Sequence, residues 1–128
     1  MSADLDQIAR HLEFLGYAVT TEQEGRLIAK HASKPNLVAR DYKGGCLLTA
    51  YFGADTGAKR KREGYLETIN SLNSPATVAR FYADSDNDFA TEAFYNCPYD
   101  RAAFGRFMDL WDQDFARVVS SDIAQYLK

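Results

Sequence analysis

Apolar residues recur at Leu5, Ile8, Leu12 and Leu15, the spacing of one face of a helix. Ser2 or Asp4 is placed to cap this first helix, and Gly16 suits a left-handed stop. The pattern then turns to alternation. Residues 17–21 and 26–31 read as two strands joined by a turn at Glu24-Gly25. Pro35 ends the second strand. Residues 36–42 form a third, Lys43-Gly44-Gly45 a tight turn, and residues 46–52 a fourth. Cys46, Leu48, Ala50 and Phe52 share one face of the fourth strand, and Leu47, Thr49 and Tyr51 the other. With both faces largely apolar, this strand is expected in the middle of a sheet.

After a loop at 53–58, residues 59–72 read as a second helix whose stripe is Tyr65, Leu66, Ile69 and Leu72. Asn73 is placed for a left-handed cap, and Ser74-Pro75 cannot continue the helix. Residues 76–84 and 89–96 then form a hairpin around Ser85-Asp86-Asn87-Asp88. Pro98 closes it. Asp100 caps a last helix carrying Phe104, Phe107, Met108, Trp111, Phe115, Val118 and Val119 on one side, with Ile123 and Leu127 extending it. The expected class is α+β: an antiparallel sheet with three helices in the order α-β-β-β-β-α-β-β-α. Hairpins 36–52 and 76–96 should share one layer, with helix 101–119 packed on it through Phe107, Trp111 and Phe115. Neither a repeat nor a linker interrupts the 128 residues, which fit a single domain over 1–128.

The stretch Ile69-Asn70-Ser71-Leu72-Asn73, then Arg80-Phe81-Tyr82, the acidic turn and the aromatic-rich last helix resembles the YbjN-like family of candidate bacterial sensory transduction regulators. The resemblance spans nearly the whole chain and is sharpest over 66–94. It implies a fold similar to that of type III secretion chaperones, a chaperone-like or regulatory role, and no catalytic residues. The family often has glycine at the hairpin turn where this chain has Asn87, a residue that tolerates positive φ.

Composition narrows the function. Hydrophobic residues at 46% and charged residues at 26% suit a globular chain rather than a disordered one. The net charge of −3 argues against a general binder of nucleic acid or anionic membranes. Charge is uneven, at +2 over residues 1–80 and −5 over 81–128. Self-association or an oppositely charged partner would suit that split. The N-terminus lacks the basic-then-apolar order of a secretory signal, and no apolar run reaches membrane-span length. A cytoplasmic protein with two free thiols is expected.

Candidate chemistry is sparse. His11 and His31 read as boundary residues. Cys46 and Cys97 have no zinc spacing, and no base is placed beside Cys97. Asp84, Asp86 and Asp88 resemble the opening of a calcium loop, but Phe89 stands at the sharp-turn position and Tyr95 at the closing one. The run Lys59-Arg60-Lys61-Arg62 sits at the expected start of the second helix, where the helix dipole disfavours cations, which hints at an anionic partner. Asn70 is placed to bond to the next segment's backbone. Arg80 is placed to pair with Glu92 or to stack on an aromatic ring. No catalytic, cofactor-binding or metal-binding residues are expected. The expected function is a non-enzymatic binding module, homodimeric, holding a protein or peptide segment. Tyr51, Tyr65, Asn70, Arg80 and Tyr82 are its candidate partner-binding residues. The rivals are a small-molecule sensor or enzyme with a pocket under the sheet, and a nucleic-acid-associated regulator using residues 59–62.

Overall fold

The computed structural model describes residues 3–128. Helix α1 covers Ala3–Phe14, strands β1 to β4 cover Ala18–Gln23, Arg26–Lys30, Leu37–Tyr42 and Gly45–Phe52, and helices α2 and α3 cover Thr56–Arg60 and Arg62–Asn73. Strands β5 (Arg80–Ala83) and β6 (Phe89–Tyr95), helix α4 (Arg101–Val119) and a 3-10 turn at Asp122–Tyr126 complete the chain. The six strands form one antiparallel sheet in the order β1-β2-β3-β4-β6-β5, so the class is α+β. Hairpins β3–β4 and β5–β6 share that sheet, and β4 is interior to it, as its two apolar faces predict.

The chain clusters into two compact units. The first runs up to Ala50 and includes Phe94–Phe107. In it, Leu5, Ile8 and Leu12 of α1 are fully buried with Leu27, Ala29, Leu37, Ala39 and Leu48. The register places Leu27 beside Ala39 and Ala39 beside Leu48, so these residues form one row across one face. Gly16, at φ 98°, ends α1. Its N–H and that of Tyr17 donate to the Glu13 and Leu12 carbonyls, the double bond of a Schellman stop. The structure speaks to one of the two expected caps. Ser2 lies outside the described residues, and Asp4 sits inside the first turn with its carboxylate turned to the Tyr99 N–H.

The second unit comprises Tyr51–Ala93 and Met108–Lys128. Phe52 contacts both Phe89 and Phe115, and Trp111 stacks on Phe115. Trp111 is 1% exposed, in keeping with a helix packed through that ring. The expected second helix starts earlier and breaks in two. Asp55 caps α2 by accepting from the Gly57 and Ala58 N–H groups, and Lys61, with ψ at 47°, separates α2 from α3. Asn73 is not left-handed: it ends α3 within the helix, and Ser74 stays in the right-handed region. Leu66 and Val119 are exposed rather than part of their stripes. Ile123 belongs to the separate 3-10 turn, because the Ser121 side chain caps a new start there.

Candidate functional site

The residues expected to meet a partner centre on the β5–β6 hairpin. Asn87, at φ 66°, supplies the left-handed turn that the family-like pattern requires. Register then sets Arg80 opposite Glu92. Arg80 Nε donates to Glu92 Oε1 at 2.8 Å, and Nη2 reaches the same oxygen. The guanidinium also lies 5.8 Å from the Tyr82 ring centroid. Both partners anticipated for Arg80 are therefore present at once. Glu92 is buried, while the Arg80 side chain keeps 67% of its surface open. Burial, followed by a hydrogen bond to Glu92, pushes the Tyr82 phenol up to about 12. Arg80, Phe81 and Tyr82 line an open, shallow cleft of about 490 Å³.

Strand β5 is a sheet edge, with unpaired backbone groups on one side. The chain covers this edge itself. The Asn73 amide donates to the Phe81 carbonyl and accepts from the Phe81 N–H, both at 2.8 Å. One side-chain amide thus takes the place of a neighbouring strand. The role anticipated for Asn70 belongs to Asn73, one turn nearer the strand, and Asn70 is exposed.

Of the other candidates, Tyr51 is 54% exposed, which leaves its ring open to a partner. Tyr65 is not available. It is fully buried against Tyr126, and its hydroxyl donates to the Asn87 carbonyl. The helical stripe that includes Tyr65 was the signal for burial, and it outweighs the suitability of tyrosine for surfaces.

Sequence reasoning missed Asp114. It is buried within the apolar side of α4 and accepts hydrogen bonds from the Thr77, Val78 and Ala79 N–H groups and from Arg117. The signal was an acid on the helix face that carries Trp111 and Val118. Its work is structural, since it satisfies the strandless segment leading into β5.

The remaining chemistry is weak. Burial pushes the Cys46 thiol up to about 12 and raises that of Cys97 as well, so both are protonated at neutral pH and neither is an activated nucleophile. His31 packs on Tyr17, and its Nδ1 accepts from the Ser33 and Lys34 N–H groups. Lys59 and Arg60 lie in the last turn of α2, where the helix dipole favours cations. The argument for an anionic partner from a dipole cost therefore fails for these two residues. Arg62 donates to the Asn87 side chain.

Asp84, Asp86 and Asp88 bring carboxylate oxygens within 4.8 Å of one another. Asp84 Oδ1 already accepts from the Asp86 and Asp88 N–H groups, and Asp88 Oδ1 accepts from that of Ala54. Phe89 and Tyr95, at the sharp-turn and closing positions of a calcium loop, are both buried. Calorimetry with calcium is expected to show no micromolar site. A one-to-one micromolar site abolished by Asp86→Ala would contradict this assignment.

With this geometry in place, the fold can be compared with known structures. The protein has the YbjN-like and secretion-chaperone-like α+β architecture that its sequence pattern suggested. YbjN from E. coli, described as a candidate transcription regulator, superposes with a TM-score of 0.73 at 14% identity, covering 97% of this chain and 95% of YbjN. A chain of the heterodimeric ExoU–SpcU complex from the type III secretion system of Pseudomonas aeruginosa superposes with a TM-score of 0.63 at 22% identity, covering 88% of this chain and 95% of that one. No family profile matches the sequence, and no curated protein sequence matches it. No helix among the described residues is long and apolar enough to cross a membrane.

Proposed function

We propose that this protein is a non-enzymatic, cytoplasmic binding module, folded as one domain and homodimeric, that holds a segment of a protein partner. The observation that carries this reading is the set of open side chains in the second unit. Tyr51 and Arg80 are exposed beside the half-buried Tyr82, on strands whose alternate residues Phe52 and Phe81 both pack against Phe89. Tyrosine and arginine are the residue types that dominate binding energy at interfaces. The Asn73 bonds at Phe81 oppose addition of a strand to β5, so the partner segment lies across the side chains rather than along this edge. The chaperone-like neighbour, whose complex is heterodimeric, supports a protein partner. Protonated thiols and a tyrosine pushed up to about 12 offer no group poised for catalysis near neutral pH.

The test is affinity capture from the native host with wild type and with the exposed double variant Tyr51→Ala/Arg80→Ala. A protein that co-purifies with wild type should be lost from the variant and weakened by Tyr51→Ala alone, which leaves the buried Glu92 paired with Arg80. Retention of the same protein by the variant would place the binding surface elsewhere.

A further inference from the structure

A second feature lies in the first unit. The core stripe of α1 is Leu5, Ile8 and Leu12. Gln7, Arg10, His11 and Phe14 form another stripe at spacings of three and four. With Tyr99 and Arg101 they line a cleft of about 260 Å³. Phe14 is 72% exposed, so its ring does not serve the core. The Arg101 guanidinium lies 5.4 Å from the Phe14 ring centroid. Tyr99 meets the His11 ring edge-on, and its hydroxyl is 2.7 Å from His11 Nδ1.

The cleft presents two arginines. Of the carboxylates around it, Asp4 is turned to the Tyr99 N–H and Asp100 to the Ala103 N–H, while Asp6 and Glu13 stand one helical turn either side of Arg10. Among the described residues neither Arg10 nor Arg101 forms an ion pair with a carboxylate. Burial and Arg101 hold His11 below its usual range, so the imidazole is neutral at pH 7.

We infer that this cleft binds a small aromatic anion, with the acid group between Arg10 and Arg101 and the flat ring against Phe14 and Tyr99. Guanidinium groups match carboxylate and phosphate oxygens with paired donors. An exposed phenylalanine beside them gives the ring of the ligand an apolar wall. The volume, just under the usual range of ligand pockets, suits a small ligand. Carboxylate and phosphate share this chemistry, so both are tested.

Two-dimensional NMR titrations with phenyl phosphate, benzoate, inorganic phosphate and phenol test the assignment. At least one aryl anion should bind saturably at millimolar concentration or below, shifting amides of residues 7–14 and 99–102. Inorganic phosphate and phenol, each lacking one half of the ligand, should bind about tenfold more weakly, as should the best aryl anion in Arg10→Ala or Arg101→Ala. Arg106→Ala, an exposed change outside the cleft, should leave binding intact. Absence of saturable shifts with both aryl anions would overturn the inference. So would affinity unchanged in Arg101→Ala, or phenol binding as tightly as the anions.

Discussion

Replacing Trp111 with alanine is expected to destabilise the protein by about 3–5 kcal/mol, the range for large aromatic truncations in cores. Trp111 is among the largest fully buried side chains, stacked on Phe115, which in turn contacts Phe52. Interiors relax only partly around a lost ring, so part of the space stays empty. Domains of this size are stable by only about 5–15 kcal/mol, so the variant should populate unfolded chain at moderate temperature. Urea unfolding followed by circular dichroism checks this. A loss below about 1 kcal/mol, in the range of surface changes, would contradict the packing of α4.

Asp114→Ala is expected to cost a similar amount, about 3–5 kcal/mol, because it leaves the buried Ala79 N–H and the part-buried Thr77 and Val78 N–H groups without their acceptor. The Thr77, Val78 and Ala79 N–H groups all bond to this carboxylate at 2.8–3.0 Å. Ion pairing with Arg117 is the smaller part. That arginine is 44% exposed, and Asp114, though buried, keeps its three backbone donors without it, so Arg117→Ala should cost less, about 1 kcal/mol. The two variants together separate the roles. Equal losses from both would mean that the ion pair, and not the amide cradle, holds the segment before β5. Denaturant melts of the two purified variants give the comparison directly.

The elements legible from the sequence were those with a strong period and a chemical stop. Helix α1 ended where Gly16 allowed, and α4 began after the Asp100 cap. Pairing of Arg80 with Glu92 followed from hairpin spacing alone. The errors arose where tertiary contacts outweighed local preference. Asp55 starts α2 ahead of the basic run, so Lys59 and Arg60 come at a helix end instead of a start. Asn73 keeps a helical backbone because its side chain is committed to Phe81. Tyr65 was a candidate for the partner surface, yet its ring is fully buried and its hydroxyl donates to the Asn87 carbonyl. Asp114 was passed over because an acid on an apolar face reads as a solvated edge until the amides that face it are known.

The claim that the open sheet residues meet a partner is tested most directly by the protein's mass in solution. A monomer seldom leaves a contiguous apolar patch beyond a few hundred Å² uncovered, and twofold pairing is the commonest way to cover one. Sedimentation equilibrium across the micromolar range should give twice the chain mass of 14.4 kDa, shifting toward monomer in Tyr51→Ala/Arg80→Ala or on addition of the captured partner. A mass of one chain at every micromolar concentration, unchanged by the double variant and by the partner, would contradict it.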